Sequence, residues 1–469
     1  MRAASPPQLI SVLGVSVMLL TITSGVTLIP TYLLQEALGL SIPVITAILL
    51  AWVVALTHVT GRNIRFVKSG LARVFPVLLV GSFFAFVMVE ATLSIFTGIG
   101  QLVIFRILVL AVGTVMMLLG LLRWSRKGSR YVDRDAIKIL VNPYVYLCLA
   151  LAVGGLIAWL SLTLGVVQWQ DWIVRDDFRV DAVTGRFRHS MPMFLSFILV
   201  GEVPRNLFGV EVFRGSGLSD EPNQAALFVA PALFLISITF NNASRMLRSA
   251  ATLVMVLFLI TLGSVTNWLA LAILGWLWLL KRKQFALALV AGMIGAIVLA
   301  SLAFDAEADY ARSLPDSLDV ATARLLKLKS LPGAFQLSPA GLTEDWTGVG
   351  VLGALESGHN RGGTLILSWV LMVGHMTLFS ALALRLYLAS SSAAPLGLAG
   401  LYMALHMLKD PNGVMAFPFY VFVLFLTAIG FVIHERERAE RRRDSAVNDP
   451  SMPPAQSSRA WAVRRRDTT

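Results

Sequence analysis

Charged residues and cysteines are both scarce in this chain of 469 residues. Only 14% of the residues are charged, whereas a soluble domain is about a quarter charged. The hydrophobic share is 57%, and the mean hydropathy is +0.75. This balance excludes an ordinary soluble globular protein. The single cysteine, Cys148, lies inside an apolar run, which excludes an internal disulfide and disfavours a redox role.

Several motifs are also missing. The sequence has no P-loop and no dinucleotide fingerprint, which disfavours ATP-driven transport by this chain. It shows no internal repeat, which disfavours transporters built from inverted repeats. The first apolar run starts near Gln8, is too long for the core of a signal peptide and lacks a cleavage site. We therefore predict an uncleaved anchor.

Apolar runs of about 20 residues recur along most of the chain, which is the length that spans a bilayer. Backbone polar groups cannot stay unpaired in lipid, and the runs are too long for barrel strands, so the sequence predicts an all-α integral membrane protein. We predict about twelve transmembrane helices. They fall near 8–30, 42–60, 74–96, 102–122, 140–166, 224–240, 249–263, 266–280, 285–304, 364–384, 396–408 and 413–433. The pair at 249–263 and 266–280 is either a hairpin of two half-length helices or one long kinked helix.

The charge pattern predicts the topology. With twelve spans, all basic clusters and both termini fall on one side, which the positive-inside rule assigns to the cytoplasm. These clusters are Arg62, Arg65, Lys68 and Arg73; Arg123, Arg126, Lys127, Arg130 and Arg134; Arg245 and Arg248; Lys281, Arg282 and Lys283; and the run from Arg436 to Arg443. The same rule explains the net charge of +12 without nucleic acid.

Two long loops, at about 167–223 and 305–363, then lie outside, and both contain more acidic than basic residues. We predict a polytopic membrane domain over 1–443 and a disordered cytoplasmic tail over 444–469, where Ser, Pro, Asp and Arg leave little to bury.

The first long loop ends in a helix-start pattern. Arg214-Gly-Ser-Gly217-Leu-Ser-Asp-Glu-Pro222-Asn223 stands directly before an apolar run, and Pro favours the first position of a helix. The backbone N–H groups of that helix start, together with the Arg214 guanidinium, suit a phosphate group. The alternative is a surface Arg beside an ordinary helix cap.

The second long loop contains Arg324 and ends at His359-Asn360-Arg361, directly before the next apolar run. A histidine at the outer mouth of a helix is a natural general base for a hydroxyl group. The alternative is an exposed loop histidine with no role.

Other polar residues are weaker candidates. Glu90 and Arg106 either form a structural ion pair or position a phosphate. We expect His375 and His406 to be packed or hydrogen-bonded rather than catalytic. The acidic pair at 176–177 has no third ligand nearby, which disfavours a metal site.

The motifs together resemble the O-antigen ligase and polymerase superfamily. Arg214-x-x-Gly217-x-x-x-x-Pro222-Asn223 resembles its first motif, and the second loop is similar to its large periplasmic loop. That loop carries Thr322-x-Arg324, a Ser338-Pro339-Ala-Gly341 turn and the His359-Asn360 pair, with Gly374 further on. Members often have Thr-x-Ser-Arg where this chain reads Thr261-Leu-Gly-Ser264-Val265-Thr-Asn267. The Arg is missing, so the resemblance assigns no role to this element.

The resemblance implies a C-type, metal-independent membrane glycosyltransferase with two large periplasmic loops and no cofactor. Such an enzyme moves a glycan from undecaprenyl diphosphate to an acceptor sugar hydroxyl, as an O-antigen or exopolysaccharide polymerase or as an O-antigen ligase. It would work at the periplasmic face of a bacterial inner membrane. Arg214 and Arg324 would hold the diphosphate, and His359 would take the proton from the acceptor.

The resemblance also implies that Asn223, Asn360 and Arg361 contact substrate. The expected partners are the lipid-linked glycan, an acceptor glycan or glycolipid and the bilayer, with a chain-length regulator as a further candidate and no nucleic acid. The alternative function is a multispan transporter or flippase for polysaccharide or lipid-linked glycan. A transporter favours charged groups and broken helices at the midplane, and the stretch around Gly263 and Asn267 is the one feature of that kind. A third alternative is a non-catalytic assembly subunit.

Overall fold

The structure is a computed structural model in which most of the described residues are helical. It describes residues 71–97, 134–164, 166, 222–293, 366–389, 391–409 and 417–447, together with five short strands between 189 and 217. The helices are α1 (Leu71–Thr97), α2 (Arg134–Thr163), α3 (Pro222–Thr239), α4 (Arg245–Thr261), α5 (Val265–Lys281), α6 (Ile366–Leu388), α7 (Ala394–Lys409) and α8 (Phe417–Val447). Residues 285–293 are also helical. The helical class is confirmed for this part of the chain.

Each helix overlaps a predicted span, and most agree with it to within a few residues at their ends, whereas α8 runs 14 residues beyond the predicted end at 433. Among the described residues, Val141–Thr163 and Val370–Leu388 are long and apolar enough to cross a membrane by length and composition. Shorter apolar stretches occupy Val77–Val89, Ala225–Thr239, Thr266–Lys281 and Ala394–Met407. The count of twelve spans stays a prediction, because the spans predicted at 8–30, 42–60 and 102–122 lie outside the described residues.

Five short strands lie inside the segment predicted as the first outer loop. They are β1 (His189–Met193), β2 (Ser196–Val200), β3 (Arg205–Leu207), β4 (Val210–Val212) and β5 (Arg214–Gly217). β1, β2 and β5 form an antiparallel sheet in that order, and β3 pairs with β4. The composition of the loop did not predict these strands, because each has only three to five residues and no long alternation of apolar and polar positions.

The predicted weak point at 249–280 is a break between two separate helices of 17 residues each. Gly263 has a φ of 59°, a left-handed conformation that glycine adopts without steric cost, and it ends α4. Ser264 is extended and caps α5 by accepting the Asn267 backbone N–H at 3.2 Å. One long kinked helix is therefore excluded.

Helices α6, α7 and α8 approach one another closely at glycines. A Cβ on Gly397 of α7 would lie 2.6 Å from the backbone N of Tyr387 and 2.7 Å from the backbone O of Ala383, both in α6. A Cβ on Gly430 of α8 would meet Leu396 of α7 at 3.0 Å. Small residues at such contacts let membrane helices pack backbone to backbone.

Two of the helices leave apolar stripes on the surface. Val153, Ile157 and Leu160 of α2 are exposed, at spacings of four and three residues that put them on one helix face. Leu253, Leu257 and Ile260 of α4 repeat the same pattern. A soluble protein would bury such stripes, whereas lipid tails cover them at no cost.

Candidate functional site

The first predicted motif lies against the break between α4 and α5. Its opening residues form strand β5, which packs on α2 and α3. A Cβ on Gly215 would lie 3.3 Å from Thr261 Oγ1, 3.6 Å from Leu262 and 3.9 Å from Phe258. The strand that carries Arg214 therefore rests directly on the last turn of α4.

The second half of this motif opens α3. The helix begins at Pro222, as the helix-start pattern predicts, and Asn223 follows in the first turn. Ser264 Oγ donates a hydrogen bond to Asn223 Oδ1 at 2.5 Å. The start of α3 and the start of α5 are thus tied together by one side-chain contact.

Asn267 extends this contact into the bundle. It is fully buried, and both ends of its amide are bonded. Its Nδ2 donates to the Leu259 backbone O of α4 at 3.1 Å, and its Oδ1 accepts from the Tyr402 hydroxyl of α7 at 2.8 Å. We call Asn223, Ser264, Asn267 and Tyr402 the break cluster. It connects α3, α4, α5 and α7 at the end of the bundle where α3 begins.

The remaining predicted site residues are described less completely. The backbone of Arg214 is placed in β5, whereas Arg324, His359, Asn360 and Arg361 lie outside the described residues. Arg106 and the acidic pair at 176–177 also lie outside them. The structure therefore brings the first motif to the break and leaves the role of the second loop a prediction.

A second buried polar group lies within continuous helices. His375 of α6 bonds through Nδ1 to Ser82 Oγ of α1 at 2.8 Å and through Nε2 to the Tyr420 hydroxyl of α8. The Phe83 ring packs on both His375 and Tyr420. We call Ser82, His375 and Tyr420 the bundle cluster. The prediction that His375 is packed or hydrogen-bonded is confirmed, and the residue is both.

His406 is also buried, and its ring lies 5.8 Å from that of Tyr402, so it is packed in the core as predicted. Cys148 is buried as well, against the Phe228 backbone O of α3.

The opposite end of the bundle is charged. Arg385 near the end of α6 pairs with Glu435 of α8 at 3.4 Å. Glu437 accepts from the Ser392 backbone N at 3.3 Å, which ties α8 to the turn between α6 and α7. Lys281 at the end of α5 donates to the Tyr387 backbone O, and partial burial lowers the pKa of this lysine. Lys281, which belongs to a predicted cytoplasmic cluster, therefore contacts the end of α6 that also carries Arg385.

One member of the break cluster, Tyr402, was not found by sequence reasoning. Tyr402 is a single tyrosine in an apolar run. Buried tyrosines in ordinary cores usually bond through their hydroxyl group, so this residue gave no signal of a site. Asn267 was visible as a polar residue near a predicted break, but one of its partners, Tyr402, lies 135 residues further along the chain. Among the described residues, no group of three His, Cys, Asp or Glu side chains could hold a metal ion.

No protein-family model, curated protein or solved structure matches this chain. The likeness to the O-antigen ligase and polymerase superfamily therefore rests on the motifs themselves.

Proposed function

We propose that this chain is a membrane-embedded, metal-independent glycosyltransferase that uses a lipid-linked glycan as its donor. The observation that carries the proposal is the convergence of Arg214-x-x-Gly217 and Pro222-Asn223 on one buried break between helices. The exposed apolar stripes on α2 and α4 support a location in the bilayer, which a polyprenyl carrier requires.

The proposed reaction joins an acceptor sugar hydroxyl to the anomeric carbon of the donor glycan. The new C–O bond forms as the bond between that carbon and the diphosphate oxygen breaks, and undecaprenyl diphosphate leaves with the electron pair. His359 takes the hydroxyl proton, and a general base of this kind contributes about 10²–10⁴-fold. Arg214, Arg324 and the start of α3 stabilise the charge that develops on the leaving diphosphate.

Polymerase and ligase activities differ only in the acceptor. We favour the polymerase, because two substantial outer loops suit two lipid-linked substrates. Expression in a strain that lacks its O-antigen ligase separates the two. Return of glycan linked to lipid A would identify a ligase and overturn the polymerase assignment.

The transporter alternative receives little support from the break. Its buried side chains are neutral, and each is bonded to another helix, as expected of a fixed joint rather than of a substrate path.

Asn223→Asp tests the proposed anion site with little change in shape. The carboxylate can still accept from Ser264, and a negative charge at a helix start favours the helix. The same charge repels a diphosphate, so we expect glycan transfer to fall about tenfold or more at unchanged stability. The measurement is polymer formation in a deletion strain that carries each variant at matched membrane abundance. His359→Ala, which removes the proposed general base, serves as the comparison.

For His359→Ala we expect loss of polymer and accumulation of short lipid-linked glycan. Full polymer output from both variants would overturn the transferase and favour a transporter or an assembly subunit.

A further inference from the structure

We propose that Ser264 and Asn267 are positioning residues that hold Asn223 and strand β5 in place at the start of α3. The inference rests on the proposed function for its chemistry and on the break cluster for its geometry. It gives a role to the stretch Thr261–Asn267, to which the family likeness assigns none because its Arg is missing.

Ser264 makes two connections with a single hydroxyl. Its oxygen accepts the Asn267 backbone N–H at 3.2 Å, which caps α5, and its hydrogen goes to Asn223 Oδ1. The side chain is only 1% exposed, so water cannot replace either bond. The cap alone would serve α5, whereas the second bond fixes the first turn of α3.

Asn267 fixes the break itself. Its Nδ2 satisfies the Leu259 carbonyl, one of the last four carbonyls of α4 that have no partner within their own helix. Its Oδ1 is held by Tyr402, so the break is tied to α7 as well. These bonds leave the end of α4 one defined position relative to α3 and α7.

Strand β5 contacts the end of α4, so the position of the strand depends on that of the break. Gly215 lies against Thr261, Leu262 and Phe258, all in the last turn of α4 or directly after it. A shift of the break would therefore move the backbone of Arg214 relative to the start of α3. A displacement of about 1 Å of groups that bind a substrate can cost about a hundredfold in rate.

The chain offers a matched control for the capping role. Ser244 caps α4 in the same way, accepting the Leu247 backbone N–H at 3.2 Å, and α4 has the same length as α5. Ser244 is exposed and lies at the other end of α4. Ser244→Ala removes a cap, whereas Ser264→Ala removes a cap and the bond to Asn223.

The first measurement is glycan transfer in membranes at matched abundance. For Ser264→Ala we expect kcat/KM to fall about tenfold, mainly through a higher KM for the lipid-linked donor. We expect Ser264→Thr, which keeps the hydroxyl, to recover most of the loss. Ser244→Ala should leave both constants within about twofold of the native values, because a lost cap affects stability. Equal kinetic losses in both alanine variants would overturn the proposal.

The second measurement does not depend on any activity. The pair Gly215→Cys and Thr261→Cys places two thiols in the contact between β5 and α4, close enough for a disulfide. Cys148, the only native cysteine, is buried and gives little background. We expect the pair to oxidise several-fold more slowly with Ser264→Ala than with Ser244→Ala, as read by thiol labelling and mass spectrometry.

The two measurements separate the two proposals. Slower disulfide formation with Ser264→Ala, in a chain whose native form transfers no glycan, would support the positioning role and overturn the proposed function. Identical disulfide rates in the two alanine variants would overturn the positioning role even if the native chain transfers glycan.

Discussion

The break cluster and the bundle cluster are both polar groups that are buried or partly buried between helices, yet they join the helices at different kinds of place. The break cluster lies where the backbone itself is interrupted, at Gly263 and Ser264. The bundle cluster joins side chains of three helices, α1, α6 and α8, at positions inside those helices. The break cluster therefore provides hydrogen-bond partners for backbone groups at helix ends as well as for side chains. The bundle cluster only joins side chains of uninterrupted helices.

This difference distinguishes the break cluster, which is part of the candidate site, from the bundle cluster, which holds helices together in the core. Orphan backbone groups at a helix break require polar partners, and those partners bring Asn223 and β5 to the same place. The bundle cluster is surrounded by aromatic rings of the core, including Phe83 and Phe379. We expect substitutions in the bundle cluster to change stability alone, and those in the break cluster to change glycan transfer too.

The largest expected effect concerns two close glycine contacts. Gly397 lies between α7 and α6, and Gly215 lies beside the break between α4 and α5. In Gly397→Ala the new methyl would overlap two backbone atoms of α6, which cannot move independently, so we expect a loss of about 1–3 kcal/mol or failure to fold. In Gly215→Ala the nearest atom is a side-chain oxygen at 3.3 Å, which needs only a small adjustment. Thermal unfolding of the two variants in detergent measures the contrast.

Equal stability of these two variants would show that α6 and α7 do not approach as closely as described. Gly215→Ala should in addition lower glycan transfer modestly at matched abundance, because even this small adjustment shifts the contact between β5 and α4.

The next effect uses two tyrosines as a matched pair. Tyr402 and Tyr420 are both fully buried, and each bonds through its hydroxyl to one side chain, Asn267 or His375. Replacement of either by Phe removes one hydrogen bond, at a cost of about 1 kcal/mol. We expect similar losses in unfolding free energy but a fall in glycan transfer only in Tyr402→Phe. Equal transfer rates at matched abundance would remove the functional distinction between the two clusters.

The smallest effect is a pH dependence at the charged end of the bundle. Burial lowers the pKa of His434, and Arg385 and Arg438 add to this, whereas Glu435 and Glu437 oppose it. The unfolded chain therefore takes up the proton first as the pH falls, so this residue reduces stability below about pH 6.5. We expect the melting temperature of the native chain to fall more steeply between pH 7.5 and 5.5 than that of His434→Asn.

Parallel curves for the two chains would contradict this prediction. The break cluster makes no such contribution, because Ser, Asn and Tyr side chains do not titrate in this range.

The sequence predicted most of the helices well because their signals are local. Apolar length located them to within a few residues except at the start of α2 and the end of α8, and Pro222 marked the start of α3 correctly. The stretch around Gly263 predicted an interruption, although not its form. The predicted span at 413–433 ends too early, since α8 runs on to Val447, which also lies beyond the predicted end of the membrane domain at 443.

The parts that were missed depend on contacts between distant residues. The bond between Tyr402 and Asn267 joins positions 135 residues apart, and no local pattern marks it. The short strands of the first loop gain their order from pairing with one another and from packing on α2 and α3. A single sequence carries little record of such pairings, because they add no periodic signal.

Helix α8 is longer than a membrane requires. Its 31 residues extend over about 46 Å, whereas the hydrocarbon layer is about 30 Å thick. About a third of its length exceeds that thickness, and the bond from the Ser392 backbone N to Glu437 in this last third ties α8 to the turn between α6 and α7. A rotation of the last turns of α8 would break this bond, so we expect the end of α8 and the turn between α6 and α7 to move together.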